Sequence, residues 1–198
     1  MSNSDDSLPP KGPTLREAFE ALVRTLNERG IRYAIIGEIA AVQHIRVRTT
    51  DDIDALLTVP QIQLPALLEA LRDRGFSVDL ATTIREFRDH GLASLRFKDV
   101  VIDLIRPVIP AYTHVLERAM DAEIMGQKVR VCSAEGLIVM KLIAMRPQDE
   151  TDIREVLTAY GARLDLNFVR AELDTFTAEN DPRRRKFESW VQQAGGGD

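Results

Sequence analysis

The chain carries a single cysteine, Cys132, among its 198 residues. One thiol closes no intrachain disulfide and builds no cysteine-based zinc site. Long apolar runs are missing as well: no stretch approaches the roughly 20 residues that a membrane-spanning helix needs. The opening MSNSDDSLPPKGP lacks the basic segment and apolar core of a secretory signal. Nor is there an excess of positive charge. The 26 Lys and Arg stand against 31 Asp and Glu, for a formal net charge of −5. That balance argues against a protein that coats nucleic acid, while leaving room for a local basic groove. No internal repeat is visible. The expectation is a soluble cytoplasmic protein with no membrane partner, built as one domain or one domain with a helical appendage.

Residues 1–13 read as a disordered leader and 194–198 as a flexible tail. In TLREAFEALVRTLNER (14–29), Leu15, Phe19, Leu22, Val23 and Leu26 recur at helical spacing. Thr14 and Glu17 are placed as a capping box, and Gly30 as the stop. RYAII is a short buried strand closed by Gly37. A short helix follows over 38–45, then a strand in IDALLTV. Pro60 opens a helix over about 61–74, ended by Gly75. FSVDL (76–80) suits a short strand, and 83–90 stays open between helix and loop. LASLRF and VVIDLIR read as strands joined by a tight turn at Lys98-Asp99. Residues 111–121 suit a helix, EIMGQKVRVCS a small hairpin, and the pattern from Ser133 onward is helical. The predicted fold class is α/β (α+β): a mixed sheet flanked by helices over 14–132, then a mainly helical region over 133–193.

The acids are the feature that asks for chemistry. Asp51, Asp52 and Asp54 crowd the start of a strand that should be buried. Residues two apart on a strand face the same way, so Asp52 and Asp54 share a face opposite Ile53 and Ala55. Asp103 interrupts a second apolar run. If the two strands are neighbours, three carboxylates converge and repel one another unless a cation joins them. Mg²⁺ suits such a set, because it binds carboxylates and substrate phosphates together. The plainer alternative is a group of solvated acids at a strand start. Gly37, between a strand and a helix, would point free backbone N–H groups at an anion.

These residues resemble the nucleotidyltransferase superfamily of polymerase-β-like fold. Its pattern is a strand, a Gly-Gly or Gly-Ser pair, then Asp-x-Asp. The subgroup most similar is that of the minimal bacterial enzymes, AbiEii-like toxins included. The match runs Gly37, Ala40 or Ala41, His44, then Arg48-x-Thr50-x-Asp52-Ile53-Asp54. MKLIAMRPQDETDI resembles the downstream motif, through Lys141, Arg146, Asp149 and Asp152. The likeness covers about residues 30–160. It implies a nucleotidyltransferase core in which Asp52, Asp54 and Asp103 are catalytic and bind Mg²⁺ or Mn²⁺. It implies that Gly37, Glu38, Arg48 and Thr50 hold the triphosphate of an NTP, and that Lys141 faces the nucleotide or substrate. The reaction implied is transfer of a nucleoside monophosphate to a hydroxyl on an RNA end such as tRNA, a protein or a small molecule. A toxin or antitoxin partner protein is implied on the same ground.

Two positions depart from the pattern: Glu38 replaces the second Gly or Ser, and Ile45 replaces a Gly. A carboxylate within ~4–6 Å of a phosphate repels it unless a cation intervenes. Either Glu38 obstructs the triphosphate site, leaving a weak or inactive binding or regulatory module, or its side chain swings out. Structural roles compete elsewhere. His44 suits packing as well as substrate contact. Arg46 and Arg48 suit charge compensation as well as phosphate binding. Lys141 suits snorkelling, and Asp149 and Asp152 suit the first turn of a helix. The RRRK run at 183–186 suits a solvated face.

Overall fold

The computed structural model describes residues 12–45 and 50–195. The expected leader and tail lie mostly outside this range. Where they are described, residues 12–13 and 194–195 are ends of helices.

The elements run α1 (Gly12–Glu28), β1 (Arg32–Ile36), α2 (Gly37–His44), β2 (Asp52–Thr58), α3 (Leu64–Asp73), α4 (Leu80–His90), β3 (Leu92–Phe97) and β4 (Val100–Ile105). They continue with α5 (Pro110–Glu117), β5 (Met120–Ile124), β6 (Gln127–Val131), α6 (Ala134–Ala144), α7 (Pro147–Tyr160), α8 (Leu166–Phe176) and α9 (Pro182–Gly195). Helix α1 begins at Gly12, so Thr14 sits inside its first turn and is not its cap. Pro60 precedes a 3-10 turn, Gln61–Gln63, which runs into α3.

Residues 76–80 do not form a strand. Only Ser77 bridges to Arg96. The Asp79 side chain instead accepts from the Thr82 N–H and caps α4, which takes in the ambiguous 83–90. A polar cap outcompetes the weak strand pattern around it.

The six strands form one mixed sheet in the order β3-β4-β2-β1-β6-β5. Strands β3 and β4, β1 and β2, and β5 and β6 pair antiparallel; β2 with β4 and β1 with β6 pair parallel. Helices α3 and α4 make the crossover that a parallel β2–β4 pair requires. The alternation of β4 is strict: Val100, Ile102 and Leu104 are buried, while Val101, Asp103 and Ile105 are half-buried. One sheet face is therefore core and the other opens to a cleft.

Phe19, Leu22 and Leu26 of α1, Leu67 and Leu71 of α3, Ile102, Leu104, Leu137, Leu142, Phe187 and Trp190 belong to one buried apolar cluster. Helix α6 packs on α2, α5, α7 and α8. Among the described residues no helix is long and apolar enough to cross a membrane.

Candidate functional site

Strand register builds the site. Ser94 lies opposite Asp103, Asp103 opposite Asp54, and Asp54 opposite Ile36. Paired residues on adjacent strands point to the same face. Ser94, Asp103, Asp54 and Ile36 thus form a row across β3, β4, β2 and β1, with Asp54 and Asp103 adjacent. Asp52 shares the face two residues away, opposite Val101, and is exposed. The Ser94 hydroxyl donates to Asp103 Oδ1 at 2.6 Å. Burial, then the charges of Asp103 and Asp52, push the Asp54 carboxyl up to about 6; Arg146 pulls the other way.

Gly37 opens α2 at the end of β1, with φ +65°. A Cβ built there would lie 1.9 Å from Asp54 Oδ2. The position needs glycine on two grounds: its left-handed backbone and the aspartate packed against it. Glu38 follows in the first turn of α2. Its Oε1 accepts from Lys141 Nζ at 3.2 Å.

Lys141 is 3% exposed. Its ammonium also donates to Asp152 Oδ2 at 2.6 Å and Asp149 Oδ1 at 3.3 Å, and both aspartates are fully buried. Burial opposes the charge on Lys141, but the Asp152 hydrogen bond and the surrounding carboxylates outweigh it and hold its pKa above the usual value. Arg146 closes the cluster. Its backbone N–H donates to Asp149 Oδ2 at 2.8 Å, and its guanidinium reaches the same carboxylate. Asp149 is thus a helix cap, one of its two expected roles. Asp152 is a buried partner of Lys141 and caps nothing.

Above the aspartate pair is a cleft of about 290 Å³. Gly37, Asp54, Asp103, Lys141 and Arg146 line it, together with the apolar Leu92, Ile105, Tyr112, Leu137, Met140 and Ile143. Of the residues expected at the site, Gly37, Asp54, Asp103 and Lys141 meet in this cleft. Glu38 adjoins it through Lys141. Thr50 does not line it; its Oγ1 accepts from the Asp52 N–H at 3.2 Å and shapes the entry to β2. Arg46 and Arg48 lie outside the described residues.

His44 is buried and structural. Nε2 lies 2.8 Å from the Cys132 carbonyl, which only accepts, so Nε2 carries the proton. Nδ1 then accepts from the Tyr160 hydroxyl at 2.8 Å. Burial holds the ring pKa below its usual value. In the basic run, Arg183 pairs with Asp181, Arg184 with Asp174 and Lys186 with Glu150.

Ser94, Tyr112, Met140 and Ile143 were not anticipated. Ser94 had a signal: a two-residue turn at 98–99 sets Phe97 against Val100 and, three pairs on, Ser94 against Asp103.

Among the described residues no three His, Cys, Asp or Glu side chains come together to hold a metal ion. The expected three-way convergence is a pair plus an outlier. The pair still fits a hard divalent cation. Two in-register carboxylates repel each other, as the raised Asp54 pKa records, and Mg²⁺ commonly takes one or two carboxylates together with substrate phosphates.

A family model described as nucleotidyl transferase of unknown function (DUF2204) matches residues 15–187. No curated protein matches the chain. Two solved structures share its fold. The solution structure of the antibiotic-resistance factor ANT(2'')-Ia is 17% identical, with 81% of this chain and 91% of that one covered, at a TM-score of 0.57. The crystal structure of ANT(2'')-Ia with adenylyl-2''-tobramycin is 16% identical, with 83% and 99% covered, at a TM-score of 0.56. These findings reach the nucleotidyltransferase superfamily and do not single out the AbiEii-like subgroup.

Proposed function

From the premise that this chain belongs to the family of nucleotidyl transferases of unknown function (DUF2204), we propose that it transfers a nucleoside monophosphate from an NTP to a hydroxyl acceptor. The observation that carries this reading is the Asp54–Asp103 pair, held in register on the floor of a cleft.

The backbone N–H groups that open α2 and the Arg146 guanidinium receive the phosphates. The acceptor oxygen bonds to the α-phosphorus, the bond to the bridging oxygen breaks, and pyrophosphate leaves. The hydroxyl proton passes to Asp103, whose other oxygen the Ser94 hydroxyl orients. Asp54 and Asp103 would hold a divalent cation, which when bound supplies charge neutralisation for the phosphates.

The Glu38–Lys141 contact favours an active site over an obstructed one. It draws the Glu38 carboxylate toward a cation and offsets its repulsion of a phosphate. The remaining finer assignments, a toxin–antitoxin role and a protein partner, rest on the sequence motif alone.

The test is calorimetry of NTP binding with Mg²⁺, with Mn²⁺ and with neither. Binding that needs the cation, and is lost in Asp54→Ala, is expected. Absence of cation-dependent binding in the parent sinks the reading. Glu38→Ser should leave affinity nearly unchanged; a large gain would restore the obstructed-site alternative.

A further inference from the structure

Resting on the transferase reading, we infer that the acceptor is an uncharged small alcohol or phenol with an apolar body, seated against Leu92, Ile105, Tyr112, Met140 and Ile143. Position comes first. Gly37 lies at the β1 side of the Asp54–Asp103 pair, and Leu92 and Ile105 lie at the β3–β4 side. In-line displacement puts the leaving and attacking oxygens on opposite sides of the phosphorus. With the phosphates at Gly37, the acceptor enters from the Asp103 side.

That side is built of carbon. Leu92 and Ile105 are opposite each other on β3 and β4, one row beyond Ser94 and Asp103. Tyr112 of α5 and Met140 and Ile143 of α6 add apolar surface to the same cleft. The apolar wall continues to the surface, where Leu92 is 43% exposed and Val108, beside Gly91, is 50% exposed. Large exposed apolar side chains gathered at a cleft mark a ligand-binding surface.

Charge excludes the alternatives. Among the described residues the carboxylates lining the cleft are Asp54 and Asp103, and the proposed reaction uses both. None is left among the described lining residues to pair with the ammonium groups of a polycation. The cations at the cleft are Lys141, buried on three carboxylates, and Arg146, held by Asp149. Three of the four basic residues at 183–186 are in ion pairs. A nucleic-acid acceptor would find little on these surfaces to neutralise its backbone.

The experiment is calorimetry on the full chain with a non-hydrolysable NTP and Mg²⁺ present. The probes are naphthylethanol, the polycation tobramycin and a short RNA hairpin. Naphthylethanol is expected to bind, and the other two are not. Ile143→Ser should weaken naphthylethanol about tenfold and NTP far less. Leu92→Ser, at a partly exposed position, should act in the same direction and serves if the first variant does not fold. Tighter binding of tobramycin or RNA overturns the inference, as does absence of naphthylethanol binding while NTP binds. Loss of NTP binding with naphthylethanol retained removes the transferase reading and leaves an apolar small-molecule site.

Discussion

Asp54→Asn should make the protein more stable and inactive at once. In the free protein Asp54 ionises against burial and against Asp103 and Asp52, which raises its carboxyl from 3.8 to about 6. A rise of that size corresponds to roughly 3 kcal/mol of disfavoured ionisation. The residue is partly exposed, and solvent screens part of this, so the expected gain is about 1–3 kcal/mol at pH 7. Asparagine keeps the shape that packs on Gly37 and removes the charge. The pH dependence has a definite sign. Between the two values the folded chain holds a proton that the unfolded chain has lost. Parental stability therefore falls as pH rises through that window, and the full penalty stands above about 6. Urea unfolding of parent and variant from pH 4 to 8, without divalent ions, measures it. The curves should converge at the acid end and separate toward neutrality. A variant no more stable than the parent at pH 7 would falsify the electrostatic account of the pair. Added Mg²⁺ should raise the midpoint of the parent and leave that of the variant nearly unchanged.

Other outcomes follow from the same geometry. Gly37→Ala should cost more than about 2 kcal/mol by chemical denaturation, from the positive φ and the Asp54 clash together. Combining it with Asp54→Gly should recover the steric share. Lys141→Met removes the buried cation that Glu38, Asp149 and Asp152 share and should cost about 3–5 kcal/mol. That cost should shrink as pH falls and Asp149, whose carboxyl is held below its usual value, against burial, by Arg146 and Lys141, takes a proton; a pH-independent loss would point to packing alone. His44 is held neutral by burial, so on acidification the unfolded chain takes its proton first and stability falls below the usual value of 6.5. Unfolding of His44→Gln and its parent, both in the Asp54→Asn background, isolates this trend, and equal pH slopes would refute it.

The aspartate pair was legible because a strand has a period of two and nothing in tertiary structure alters it. Once VVIDLIR and IDALLTV are neighbours with their apolar faces both in the core, Asp54 and Asp103 share the other face. The Ser94 contact was one step further, a matter of counting back from a two-residue turn. The apolar wall was not legible. Tyr112, Met140 and Ile143 sit on helices with no local mark of a ligand, and only the packing of α5 and α6 over the sheet brings them to the cleft. Lys141 shows a different limit. The motif included both Lys141 and Asp152 but not their meeting, 2.6 Å apart, which makes the lysine a buried ion-pair centre. At 76–80, alternating apolar residues suggested a strand, and the Asp79 cap prevailed over them.

The Lys141 cluster binds together parts that the sequence sets far apart. One ammonium touches Glu38 of α2 and Asp149 and Asp152 of α7. Cutting the chain at the change of pattern near residue 132 would therefore part Glu38 and the Asp54–Asp103 pair from Lys141 and Arg146. An isolated piece ending there would keep Asp54 and Asp103 and lose Lys141, Arg146, Met140 and Ile143. A displacement of α7 would therefore reach Glu38, the neighbour of Gly37, through one buried ammonium.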